Sequence, residues 1–133
     1  MIDFRNFITY EDVKKRGYDL QIPGRLNQGD FANIESAVDD FLGECFASIY
    51  NLIETYKGPE WTELLFEDMS KEISRETNPG AYRIQQALKW VILEQTIFIY
   101  DNGDVRTSAK LEVDKIGFSP KAVDKLWKHE LLG

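Results

Sequence analysis

The sequence predicts a mainly α-helical fold: a small bundle of three long helices with short N- and C-terminal helices and one short extended or β segment. Three observations carry this. From Phe31 to Tyr56 the apolar residues Phe31, Ile34, Val38, Leu42, Cys45, Ile49, Leu52 and Tyr56 recur at helical spacing for seven turns. From about Ala81 to Tyr100 the chain reads as a second long helix, apolar nearly all round in its latter half, which suits the centre of a bundle. Between the periodic stretches, Gly17, Pro23-Gly24, Gly58-Pro59, Asn78-Pro79-Gly80, Asn102-Gly103 and Ser119-Pro120 punctuate the chain at helix-length intervals.

Taken in order, Thr9-Tyr10-Glu11-Asp12 has capping-box spacing and opens a short helix that stops at Gly17. Tyr18, Leu20 and Ile22 alternate with polar residues, as in an extended segment. Asp30 is positioned to cap the first long helix. Pro59 breaks that helix and suits the first turn of the next. There Trp61, Leu65, Met69 and Ile73, every fourth residue, predict an inward row, and Pro79 is expected to end the helix. The central helix should close at Asp101-Asn102-Gly103, with Gly103 as a left-handed cap. Val105, Thr107, Ala109, Leu111 and Val113 then alternate with polar residues, an extended arm over 105–118 whose best internal partner is Tyr18–Ile22. Ser119 caps a last helix with Pro120 at its first position, and Val123, Leu126, Trp127 and Leu131 are expected to face inward.

The 133 residues correspond to one domain at ~150 residues per domain. A hydrophobic content of 43% supports a packed core. The formal charge is −7, which disfavours general nucleic-acid binding and attraction to an anionic membrane. Residues 30–76 hold twelve acids and three bases, whereas residues 105–133 hold six bases and four acids. The lone Cys45 excludes an internal disulfide and thiolate-paired zinc, and fits a reducing compartment. The opening residues do not read as a signal peptide, and no uninterrupted apolar run reaches the ~18 residues of a membrane span, so a soluble protein assembled inside a cell is expected.

Catalytic motifs are sparse. His129, the single histidine, has no serine or cysteine nucleophile obviously paired with it, and a surface histidine near a helix end is the plainer reading. Cys45 lies on the apolar stripe, as an inert buried thiol does. Glu60 and Glu63 stand one helical turn apart, the spacing with which helical nucleotide pyrophosphohydrolases present carboxylates to Mg²⁺, but no following Glu-x-x-Asp pair completes that arrangement. Asp101 and Asp104 flank a glycine turn, while Asp39-Asp40 and Glu67-Asp68 read as solvated faces. No catalytic residue, metal or cofactor is therefore assigned. Two features suit protein partners. The arm 105–113 has more backbone donors and acceptors than the chain readily pairs, so Arg106, Lys110, Leu111 and Val113 are expected at an inter-subunit contact. A hairpin packed locally on Tyr18–Ile22 is the alternative. The uneven charge suits a head-to-tail contact between identical copies.

Three stretches resemble one family. Ile8-Thr9-Tyr10-Glu11-Asp12-Val13-Lys14 is similar to the opening helix of tailed-phage (siphophage-type) head-to-tail connector, or adaptor, proteins. Leu88-Lys89-Trp90 through Tyr100-Asp101-Asn102-Gly103-Asp104 resembles their central helix, and Ser119-Pro120-Lys121-Ala122-Val123-Asp124-Lys125-Leu126 their closing helix. The acidic hairpin from Asp30 to Glu76 is longer than that pattern. The resemblance implies a helical bundle assembled as a ring, commonly a dodecamer, in the virion neck. Such a ring sits between the portal protein and a stopper or tail-completion protein, and DNA passes through it without specific binding. Neither a cofactor nor a membrane is involved. It further implies portal docking by the C-terminal segment, here Phe118, Leu126, Trp127, Leu131 and Leu132. The rival expectations are a small acidic DNA-mimic inhibitor of a host enzyme and, third, a metal-dependent nucleotide hydrolase.

Overall fold

The computed structural model describes residues 2–20, 34–102 and 117–133. It is mainly helical, as the sequence predicts. A single 3-10 turn at Phe4–Asn6 is followed by α1 (Tyr10–Lys15), α2 (Ile34–Lys57), α3 (Pro59–Met69), α4 (Pro79–Asn102) and α5 (Pro120–Lys128). Helix α4 is the centre: it packs against α1, α2, α3 and α5. The expected caps at Asp30 and Gly103, the stripe residue Phe31 and the alternating arm 105–113 lie outside the described residues. Among the described residues there is no strand, and Tyr18–Leu20 is neither helix nor strand.

Local chemistry explains the helix starts. The Thr9 side chain accepts from the Asp12 amide while the Asp12 carboxylate accepts from the Thr9 amide at 2.9 Å, a complete capping box. The Ser119 hydroxyl accepts from the Ala122 amide, and Pro120 sits in the first turn where its missing N–H costs nothing. Gly58 joins α2 to α3 with φ 89° and ψ 162°, a conformation open to glycine and strained for other residues.

Helix α2 buries Val38, Phe41, Leu42, Cys45, Phe46, Ile49 and Ile53, a wider face than the one-per-turn stripe. Its end rotates away from the expected row: Ile53 is buried, whereas Tyr56 is 53% exposed. Helix α3 departs further. It ends at Met69, and its inward residues are Thr62, Phe66 and Met69 rather than Trp61 and Leu65. A row taken every fourth residue drifts about 40° per step on a 3.6-residue helix, whereas 62, 66 and 69 hold one side. Phe66 is fully buried, with ring centroids of Tyr50, Phe7 and Phe46 at 4.9, 5.2 and 5.5 Å. Pro79 opens α4 instead of ending α3, and Asn78 Oδ1 accepts from the Ala81 amide at 3.3 Å.

Polar groups on α4 fix its neighbours. The buried Gln85 amide donates to the carbonyls of Met69 and Lys71, each at 2.8 Å, and so closes the end of α3. Gln95, fully buried, donates to the Gly117 carbonyl at 3.0 Å and accepts from the Ser119 amide at 2.8 Å, which seats the start of α5. Glu94 meets Arg16 at 2.8 Å and ties down the end of α1.

The C-terminal segment bears out the inward expectation for Leu126 and Leu131 and corrects the docking expectation for Leu126, Leu131 and Leu132. Leu126, Leu131 and Leu132 are buried in this chain's own core. After α5 the Glu130 amide donates to the Trp127 carbonyl and the Leu131 amide to the Leu126 carbonyl, the two bonds of a Schellman turn. Glu130 occupies its left-handed position with φ 59°. The turn reverses the chain and lays Leu131 beside Leu126, so these three side chains are unavailable to a partner while the bundle is closed.

Two stability measurements check this account. Gln95→Met leaves the Gly117 carbonyl and the Ser119 amide unpartnered, and urea denaturation should show a loss of about 2–4 kcal/mol, against about 0.5 kcal/mol or less for exposed Gln86→Met. Glu130→Gly removes the left-handed strain and should raise stability by about 0.5–1 kcal/mol.

Candidate functional site

Candidate reactive groups do not converge. Cys45, the single cysteine, is fully buried in α2. Glu60 and Glu63 stand exposed on α3. Among the described residues no three His, Cys, Asp or Glu side chains are grouped to hold a metal ion, and no helix is long and apolar enough to cross a membrane. The described residues do present two surface features, one aromatic and one cationic.

The first is aromatic. The end of α2, the start of α3 and the end of α5 converge around Lys57. Its ammonium lies 4.8 Å from the Trp61 ring centre and donates to the Gly133 carbonyl. Tyr56 and Trp127 meet edge to face at 5.4 Å, and Trp127 is 47% exposed rather than turned inward. Phe118 is 40% exposed just before α5. Of the five expected docking residues, then, Phe118 and Trp127 are available at the surface. The four expected inter-subunit residues Arg106, Lys110, Leu111 and Val113 fall outside the described residues.

The second feature is a groove of about 1070 Å³ between α1, α4 and α5. Its floor includes Phe7, Ile8, Ala87, Trp90 and Leu93. Its walls carry Lys15, Arg16, Arg75, Arg83, Lys89, Lys125, Lys128 and His129, against one carboxylate, Asp12, which the capping box engages. Arg16 is held by Glu94, and the Lys125 ammonium sits 4.6 Å over the Trp90 ring. Among the described residues Lys15, Arg75, Arg83, Lys89 and Lys128 have no carboxylate partner. A chain of net charge −7 therefore holds a locally cationic cleft.

The titration of two groups registers this separation of charge. Burial first, then the neighbouring Lys125, Lys128 and Arg83, pushes His129 below its ordinary value of 6.5. On the acidic side burial first, then Glu54, Glu63 and Glu67, raises the Tyr50 phenol. Sequence reading missed the groove because its cations come from four segments spread between Lys15 and Lys128. The one local signal was the Lys125, Lys128, His129 spacing on the last helix.

Comparison with protein-family models, curated proteins and solved structures returns no match, so the functional reading rests on the residues and their placement.

Two outcomes test the electrostatics of the groove. In an NMR titration, raising salt from about 0.02 M to about 0.5 M should move the His129 midpoint upward but short of 6.5, because screening relieves the cations and leaves burial in place. Folded His129 binds its proton less readily than the unfolded chain does. Its contribution to stability is thus complete above 6.5 and lost as pH falls through the folded value. His129→Gln should remove that share of acid sensitivity in thermal melts between pH 7 and about 5.

Proposed function

We propose that this chain is a structural neck protein of a tailed phage, a head-to-tail connector that forms a ring between the portal and the next neck or tail component and leaves a channel for DNA. The observation that carries the reading is the exposed aromatic cluster Tyr56–Trp127, joined to Trp61 through Lys57. Exposed Trp and Tyr side chains side by side are the residues most often decisive at protein interfaces. Of these aromatic residues, Trp127 lies in the segment that the connector resemblance assigns to portal docking, and Tyr56 packs against it. The ordered similarity of the opening, central and closing helices supports the same reading.

In this function the chain acts through surfaces. Phe118 and Trp127 are the docking residues toward the portal, and the segment holding Arg106, Lys110, Leu111 and Val113 joins neighbouring copies. The ring is a closed homo-oligomer, commonly a dodecamer, assembled in the host cytoplasm and carried in the virion. Its excess of carboxylates lowers affinity for the DNA that slides past. No cofactor and no catalytic residue belongs to this reading.

A second reading is favoured by one specific observation: Glu60, Glu63 and Glu67 are exposed on one side of α3 without a cationic partner among the described residues. Such a row is the surface a DNA-mimicking inhibitor of a host enzyme offers. Native mass measurement separates the two, because a connector forms rings with its portal present and an inhibitor stays monomeric or dimeric. Trp127→Ala should weaken portal binding about tenfold or more while helix content, read by circular dichroism, holds. Loss of helix content in that variant identifies Trp127 as a structural residue and removes the docking assignment.

A further inference from the structure

The groove and the outer face of α3 carry opposite charges around apolar centres. Glu60, Glu63, Leu64 and Glu67 occupy positions i, i+3, i+4 and i+7, a single stripe along the helix. All four are exposed, and Leu64, at 60%, is the most exposed large apolar side chain described. The stripe thus sets an apolar centre among three carboxylates. The groove has the inverse pattern: an apolar floor at Trp90 and Leu93, rimmed by Lys15, Arg83, Lys89 and Lys128, which have no carboxylate partner among the described residues.

The two halves cannot meet within one chain. Helix α3 buries its opposite side, Thr62, Phe66 and Met69, and no α3 residue lines the groove. We infer that the basic groove between α1, α4 and α5 receives the Glu60–Glu67 stripe of α3 from a second copy of this chain, with Leu64 over Trp90 and Leu93.

Charge complementarity selects this occupant. A nucleic acid reaching the groove must approach through the field of a chain of net charge −7. An α3 stripe brings carboxylates to the rim and a leucine to the centre. Because donor and acceptor surfaces lie on different elements, each added copy presents a fresh groove, which is the heterologous geometry that rings require. The inference rests on the ring reading and names the surfaces that would build it.

The test is charge exchange between full-length chains. Two variants are made, Arg83→Glu with Lys89→Glu in the groove and Glu63→Lys with Glu67→Lys on α3, and circular dichroism confirms that both keep their helices. Sedimentation velocity is run at up to about 0.5 mM chain, which reveals contacts as weak as a Kd of about 1 mM. The wild type should self-associate at about 0.05 M salt and lose at least tenfold in association at about 0.5 M. Each variant alone should associate at least tenfold more weakly than the wild type, and mixing them should restore association, because both the native and the exchanged contacts then pair opposite charges. If both variants associate as the wild type does, copies meet elsewhere: the ring reading stands and this contact is overturned. If the wild type itself remains monomeric throughout, this contact is overturned, while the ring reading falls only if native mass measurement with the portal present also finds no ring. Titration of a labelled single-stranded oligonucleotide, with and without the Arg83→Glu and Lys89→Glu changes, then shows whether the groove serves a polyanion instead.

Discussion

The arrangement depends on polar side chains buried along α4. A helix enclosed by four neighbours could be wholly apolar, yet Gln85, Glu94 and Gln95 are all buried. Each satisfies backbone or charged groups of a different neighbour: Gln85 the end of α3, Glu94 the Arg16 side chain after α1, and Gln95 the residues leading into α5. Buried amide bonds are modest in net strength, but a missing partner leaves desolvated groups uncompensated. The glutamines therefore act chiefly by excluding other placements of α3 and α5. The aromatic packing around Phe66 supplies cohesion without direction, and the amides supply direction.

That placement controls what reaches the surface. Seating α5 against α4 turns Leu126 inward and Trp127 outward, and the Schellman turn then returns Leu131 and Leu132 to the core. It also brings Lys125, Lys128 and His129 to the same cleft as Lys15 and Arg83. With the described carboxylates of α3 standing on another element, cations and anions that could neutralise one another inside the monomer are kept apart. Among the described residues the two charges thus stand on separate surfaces, and part of that separation is already visible as uneven charge along the sequence.

Much of the fold was legible because its signals are local. Thr9-x-x-Asp12 and Ser119-Pro120 mark helix starts through bonds that span three residues, and both form as the spacing demands. The α2 face was readable in its middle, from Val38 to Ile49, where seven-turn periodicity averages over single positions. On α3 an eleven-residue helix gives little averaging, so an every-fourth row through Trp61 outweighed the row through Thr62 and Phe66 that the core uses. Pro79 was read as a stop although the same chemistry suits a first turn, and Asn78 decides between them only once its side chain is seen to cap α4. Leu131 is legible as an inward residue, but Glu130 carries no sign of a left-handed residue, so the turn that also returns Leu132 to the core could not be read from the chain. The groove was invisible for a simpler reason: no window of sequence contains it.

The single-residue joint at Gly58 carries a mechanical consequence. Helix α3 has eleven residues, a rigid rod of about 16 Å at 1.5 Å per residue. Pivoting that rod by about 30° at the glycine would sweep its far tip through about 8 Å. The bearing of the carboxylate stripe is thus governed by one pair of torsion angles, and Gln85, clamping the far end at Met69 and Lys71, is the brace that holds the lever at its heading.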